Sequence, residues 1–202
     1  MAKNSRYCTK FRRRREGKTD YRARKAFILS GKPRLVTRTS INNTTAQIVV
    51  AKPRGDQVLV SAHSRELAKK YGWKAPRGNI PAAYLTGFLC GLKAKAHGIG
   101  EAILDIGLYP PSKGARVFAV LRGVLDAKVN VPHSEEKLPD EKRIGGEHIA
   151  KYAEGLASNA EEYQTKFSKY LEQKIRPETL PKHFAKVKSD MVAAFKSRGK
   201  KN

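Results

Sequence analysis

The sequence predicts an α/β fold: a mixed sheet of three antiparallel strands plus one parallel strand packed with helices, with a basic extended N-terminal arm and a C-terminal helical appendage. Three observations predict it. Residues 34–62 alternate with period 2 in three short runs separated by tight-turn sequences. Residues 79–128 hold two stripes of helical period that flank one short apolar run, 102–106. The charge is lopsided, with 14 Lys and Arg against 2 acids in residues 1–38, a net of +12 out of +24 for the 202-residue chain. The expected organisation is a basic arm over residues 1–33, an α/β core domain over 34–130, and a linker with a C-terminal helical extension over 131–202.

The arm centres on residues 11–25, FRRRREGKTDYRARK. It has little apolar content and no helical stripe, so it is expected to stay extended until a polyanion orders it. Tyr7, Phe11, Tyr21 and Phe27 are interleaved with the charges. Arg and Lys can take phosphates while rings stack on exposed bases, and that mixture favours nucleic acid. A solvated tail, a nuclear-import signal or an anionic-membrane arm are the blander readings of the same charge.

After the turn at residues 31–33, the stretch 34–40 places Leu35, Thr37 and Thr39 on one side and Arg34, Val36 and Arg38 on the other. That pattern is a half-exposed strand with a basic wet face. Asn42-Asn43 turns the chain into a second strand, 45–52, and residues 53–56 turn it into a third, 57–62. Tight connections make this an antiparallel meander. The Arg54-Gly55-Asp56 triplet is read as an ordinary turn. Ser64 is the expected cap of a short helix ending at Gly72, and Asn79 that of a long helix ending near His97. Gly87 and Gly91 fall four apart on its buried face, where a helical Gly costs roughly 1 kcal/mol and needs a packing reason. Close approach to the sheet is expected there. Residues 102–106 read as a strand covered on both faces, a parallel neighbour reached from the third strand through the helices. Residues 114–128 form a second core helix through Val117, Val120, Leu121, Val124 and Leu125.

Beyond residue 130 the charge thins to 15 basic against 11 acidic residues. Residues 131–139 form a polar extended linker. A helix near 147–154 stops before Gly155, and another is capped by Ser158 with Glu161 and lined by Tyr163, Phe167, Tyr170 and Leu171. Pro177 ends it. The last helix aligns Leu180, Phe184, Val187, Met191 and Phe195. So few amphipathic helices make little core alone, so they should pack on the α/β unit or on a partner.

No catalytic or metal constellation stands out. Cys8 and Cys90 form no framework, the five His lack ligand spacing, and Gly98-Ile-Gly100 and Gly114 open no phosphate-binding motif. Asp105 in its apolar strand is read as an acid satisfied by amides or an Arg. The polar first residues carry no secretion signal, and the apolar stretch 80–92 is too short to span a bilayer. No cofactor, metal, membrane or small-molecule substrate is expected.

Residues 11–21, FRRRREGKTDY, followed by Ala23-Arg24-Lys25, resemble the amino-terminal signature of the large-subunit ribosomal protein eighteen family, whose eukaryotic members are called large-subunit protein five. Residues 79–87, with their AAYLTG core, and Val131-Pro132-His133-Ser134 are similar to inner segments of that family. Short strands, no long insertions and a short tail look like the archaeal type. The resemblance implies a non-enzymatic, cytoplasmic protein of the large ribosomal subunit that holds 5S rRNA against 23S rRNA in the central protuberance, beside neighbouring ribosomal proteins. It carries RNA binding onto Lys10, Arg12, Arg13, Arg14, Arg15, Lys18, Tyr21, Arg22, Arg24 and Lys25, and onto Arg34, Arg38, Lys113 and Arg116. Ile41 departs from the family's polar turn, so no base contact is placed there. An RNA-modifying enzyme with a basic delivery arm and a non-specific nucleic-acid packaging protein are the competing classes.

Overall fold

The structure, a computed structural model, describes residues 4–52 and 54–199, with side chains through Lys196. Lys3 of the arm, Pro53 of the expected turn and the tail side chains from Ser197 onward lie outside the described residues. Three strands form the expected meander: β1 (Arg34–Thr39), β2 (Thr44–Val50) and β3 (Gln57–His63). Leu35 pairs with Ile48 and Ile48 with Val60, so one row of apolar side chains faces the helices and all three are buried. The period-2 pattern thus selects the core face.

The fourth strand, β4 (Ile103–Asp105), runs parallel as expected, but it pairs with β1 and the sheet order is β3-β2-β1-β4. It is therefore an edge, at the opposite side from β3. Ile103 and Leu104 are only half-buried, so the strand is not covered on both faces. Helices layer one side of the sheet, and the other is left to the arm.

Between the sheet and the remaining helices lies α4 (Ile80–Ala96), with 12 of its 17 residues buried. Before it come α1 (Arg12–Arg15), α2 (Tyr21–Leu29) and α3 (Ser64–Tyr71). Asn79 caps α4 by accepting the Ala82 N–H at 2.9 Å, and Pro81 sits harmlessly in the first turn. The two glycines serve a close approach, but to a helix. A Cβ on Gly87 would overlap the backbone of Val120, and one on Gly91 would lie 2.6 Å from the Ala127 Cβ. Val120 belongs to α5 (Arg116–Asp126), and Ala127 caps its end. Gly123 of α5 answers from the other side, against the Tyr84 and Phe88 backbone. Three glycines therefore let two helix backbones nearly touch, a role the spacing alone could not distinguish from contact with the sheet.

Local capping also differs in detail. The cap of α3 is His63, whose Nδ1 accepts the Arg65 N–H at 3.0 Å while Glu66 reaches back to the His63 N–H. Ser64 is instead buried, its hydroxyl accepting the Thr44 N–H and donating to Asn43, so it stitches the helix to β2. Beyond the linker come α6 (Glu141–Gly145), which the sequence pattern missed, and α7 (Glu147–Leu156), which runs through Gly155. Asn159 rather than Ser158 caps α8 (Ala160–Glu172), which ends before Pro177; Leu171 points outward while Phe167 and Tyr170 are buried. A 3-10 turn at Pro177–Thr179 leads into α9 (Leu180–Gly199). Leu180, Phe184, Val187 and Met191 are buried and join the same apolar core as α4. The C-terminal helices do pack on the α/β unit.

Candidate nucleic-acid interface

The wet face of the sheet is roofed by the arm. Residues expected to be extended include α1, four consecutive arginines, and the nine-residue α2. Helix α2 forms despite lacking an apolar stripe because Asp20 accepts the N–H groups of Arg22 and Ala23 at 2.8 and 3.1 Å. Its docking is ionic: Arg24 makes a two-point contact with Asp56 in the β2–β3 turn, at 3.1 and 2.8 Å. Arm and sheet enclose a cleft of about 270 Å³ lined by Arg13, Lys18 and Arg24 on one side and Arg34 and Arg38 on the other.

Charges alternate along its floor. Arg24 meets Asp56, Asp56 meets Arg34 at 2.7 Å, Arg34 meets Asp105 at 3.0 Å, and Asp105 meets Arg38 at 3.3 Å. Burial alone would raise the Asp56 carboxyl, but hydrogen bonds from Arg34 and then Arg24 outweigh it and hold the group below the ordinary carboxylate value. Asp105 also accepts the Gly107 N–H at 2.9 Å. It is the satisfied buried acid that its apolar strand implied.

These contacts sort the basic residues. Arg34 is 4% exposed and committed to two carboxylates, so it lies on the expected face but braces the floor of the cleft and does not meet solvent. The β1 alternation put it outside correctly, but the acids that cover it come from residues 56 and 105. Arg38 keeps nearly half its side chain exposed. Arg12 and Lys18 flank Glu16 at 3.2 and 2.9 Å, and Arg13 donates to Thr19. Lys10, Arg14, Arg15, Arg22 and Lys25 are exposed and form no ion pair among the described residues. Tyr21 lies 6.1 Å from Phe11, centroid to centroid, and Phe11 is largely exposed. Lys113 and Arg116 stand apart, beyond the end of β1. Lys113 is exposed in its loop, whereas Arg116 is half-buried and donates to the Ser40 and Gly78 carbonyls.

The matching family is described as ribosomal large subunit proteins 60S L5 and 50S L18, and its model covers residues 5–100 and 93–134, together 130 of the 202 residues. The chain belongs to this family. It is a large-subunit ribosomal protein, and the family is one of structural ribosomal components. The family match takes in the arm, the cleft and the whole sheet, and leaves α6 to α9 outside.

The cleft therefore has braced guanidinium groups on its floor and partnered cations, Arg13, Lys18 and Arg24, on its roof, while the unpaired Lys10, Arg14, Arg15, Arg22 and Lys25 lie outside its lining. Sequence reasoning missed Asp56, the residue that joins roof to floor. Its signal was present in the Arg-Gly-Asp turn, the acid lying one strand away from a basic strand. Among the described residues no group of three or more His, Cys, Asp or Glu could hold a metal, and no helix is long and apolar enough to cross a membrane. Cys90 is fully buried in α4, and that burial pushes its thiol up to about 12.

Proposed function

We propose that this ribosomal protein binds 5S rRNA through the arm and its cleft and attaches it to the 23S rRNA in the central protuberance, in the cytoplasm and beside neighbouring large-subunit proteins. The observation that carries the reading is the roofed cleft. Exposed Arg14, Arg15, Arg22 and Lys25 can reach phosphates, and Phe11 with Tyr21 offers rings to an unpaired base. Arg12, Arg13, Lys18, Arg24 and Arg38 hold internal partners that a phosphate can replace or share. Lys10 extends the track, and Lys113 with Arg116 continues it past β1. The ribosomal family supports an RNA as the polyanion.

Sedimentation tests it. The protein should travel with large subunits and leave them together with 5S rRNA when that RNA is stripped. Release of 5S rRNA with the protein left on the particle would defeat the reading, and so would equal affinity for 5S rRNA and duplex DNA at matched salt.

A further inference from the structure

We infer that Asp56 sits where an RNA phosphate binds, as an internal latch that keeps the arm shut over Arg34 and Arg38 until a phosphate displaces it. The displacing strand is the 5S rRNA of the reading above, on which the latch rests for that identity alone.

The carboxylate is held as a phosphate would be. Arg24 donates to both Asp56 oxygens, at 3.1 and 2.8 Å, and Arg34 Nη2 donates to Oδ2 at 2.7 Å. Such guanidinium forks accept carboxylate and phosphodiester oxygens alike. At Arg34 the carboxylate leaves one donor over. Nη1 goes to Asp105 at 3.0 Å, but the Nε is buried with no hydrogen-bond partner among the described residues. A buried donor left unsatisfied costs free energy. Each phosphate oxygen can accept from more than one donor, so a phosphate in place of Asp56 can take Nε with Nη2 and keep the Arg24 fork. The orphaned Nε thus points to an anion better matched than the one now in front of it.

The two acids of the floor are held with different firmness. Asp105 lies on β4 with 9% of its side chain exposed, and the Gly107 N–H anchors it as well. Asp56 stands in the β2–β3 turn, directly after Gly55 at φ +134°, with about a quarter of its side chain in solvent. It can leave while Asp105 keeps Arg34 in place. Closed, the cleft measures about 270 Å³, below the roughly 300 Å³ at which pockets begin to enclose a drug-sized ligand. A strand reaches the floor only when the arm lifts. The unpaired cations outside the lining, Arg14, Arg15 and Arg22 among them, can be met with the latch shut. The latch therefore reserves the floor for an anion that outcompetes a carboxylate held by two arginines, and it leaves loose contacts on the outside of the arm unaffected.

The test uses the full chain as parent, Asp56→Asn and Glu101→Gln, the last removing an exposed acid outside the cleft as a control for net charge. The probes are 5S rRNA and an unrelated RNA of equal length, at one fixed salt concentration. Asp56→Asn should raise affinity for 5S rRNA about tenfold, the scale of one charge-assisted contact no longer competing. Its gain on unrelated RNA should not exceed that of Glu101→Gln. Loosening of the arm opposes the gain, but Asn still offers Arg24 an acceptor and Asp20 still caps α2. Affinity for 5S rRNA equal to or below the parent's would overturn the latch and make Asp56 a brace. Equal gains on both RNAs would overturn it too, leaving only net charge. A measurement on the parent needs no variant to fold: with ¹⁵N-labelled arginine, the Nε–H of Arg34, the one buried Arg among the described residues, should shift as it gains a partner on addition of 5S rRNA. An unmoved resonance would also overturn the latch. A parent with no preference for 5S rRNA over unrelated RNA would defeat the 5S rRNA reading, whereas a parent with that preference and an Asp56→Asn variant without gain would defeat the latch alone.

Discussion

Arg24 on the arm and Asp56 in the β2–β3 turn face each other through two hydrogen bonds, 3.1 and 2.8 Å long, across 32 residues of sequence. Asp56 is shared with Arg34 and keeps about a quarter of its side chain in solvent. Asp56→Ala should therefore free the arm and leave Arg34 with Asp105 alone. The expected cost is about 1–3 kcal/mol, below the 3–5 typical of a fully buried broken pair because water reaches the site. Hydrogen exchange should show the α2 amides losing protection while α4 keeps its own. Protection of α2 equal to that in the parent would mean that Asp20 capping alone holds the helix.

Residues 1–27 contain eleven Lys and Arg. If about half meet phosphates, deleting the segment should flatten the salt slope for 5S rRNA by roughly 4–5, using ~0.9 per contact. Replacing Arg12 to Arg15 with Lys keeps the charge and loses the planar, bidentate geometry. That variant should keep most of the slope and lose part of its preference for 5S rRNA over unrelated RNA, measured by competition at fixed salt. An undiminished preference would assign specificity to the sheet side of the cleft.

Gly→Ala in a helix normally stabilises by up to about 1 kcal/mol. At Gly87 and Gly123 the sign should reverse, because the added methyl would overlap backbone atoms that cannot swing aside. Destabilisation of about 1–3 kcal/mol is expected in urea unfolding, and Gly87→Leu should do worse. Gly155, with open space around it, supplies the control: Gly155→Ala should be neutral or stabilising.

Two imidazoles act as acceptors, His63 for the α3 cap and His183 for the Lys74 N–H. Burial lowers both from the ordinary 6.5, with Arg65 and Arg77 adding to it at His63, against a partial opposing pull from Glu66, and Lys74 and Lys186 adding to it at His183. As pH falls, the unfolded chain takes up these protons first. The stability the two groups contribute is complete above about pH 6.5 and is lost as pH drops through their folded values. Urea midpoints should therefore decline below pH 6.5, and His183→Gln should make the decline shallower. A midpoint that is flat down to pH 5 would contradict this assignment.

Met191 is fully buried against the core, 95 residues beyond the end of α4. Met191→Ala should cost about 2–5 kcal/mol in thermal or urea unfolding. A loss below 1 kcal/mol would mean that α9 is only loosely seated.

What could be read from the residues follows the range of the interaction. Leu35, Ile48 and Val60 announce their strands because period 2 is local, and Asn79 announces its helix because a cap acts within three residues. The partner of Gly87 could not be read, since a glycine pair specifies proximity and not which backbone arrives. Ser64 and His63 are adjacent, and only the burial of Ser64 against Thr44 hands the cap to the imidazole. At the interface the arm's cations were legible from composition. Their sorting into braces and free groups depended on two acids, Asp56 and Asp105, brought in from other strands and turns.

The wrapping of α4 on every side also sets a timetable for the newborn chain. Its sheet-facing side can be covered at once by strands already made, and α5 follows within 20 residues. The side closed by Leu180, Phe184 and Met191 must wait for about 84 more residues after Ala96, roughly 4–17 s at ~5–20 residues per second. For that interval an apolar strip next to Tyr84 and Phe88 lies open on a strongly basic nascent chain. Such a species invites both self-association and premature capture by RNA, so the arrival of α9 is the step that converts a sticky intermediate into a deliverable protein.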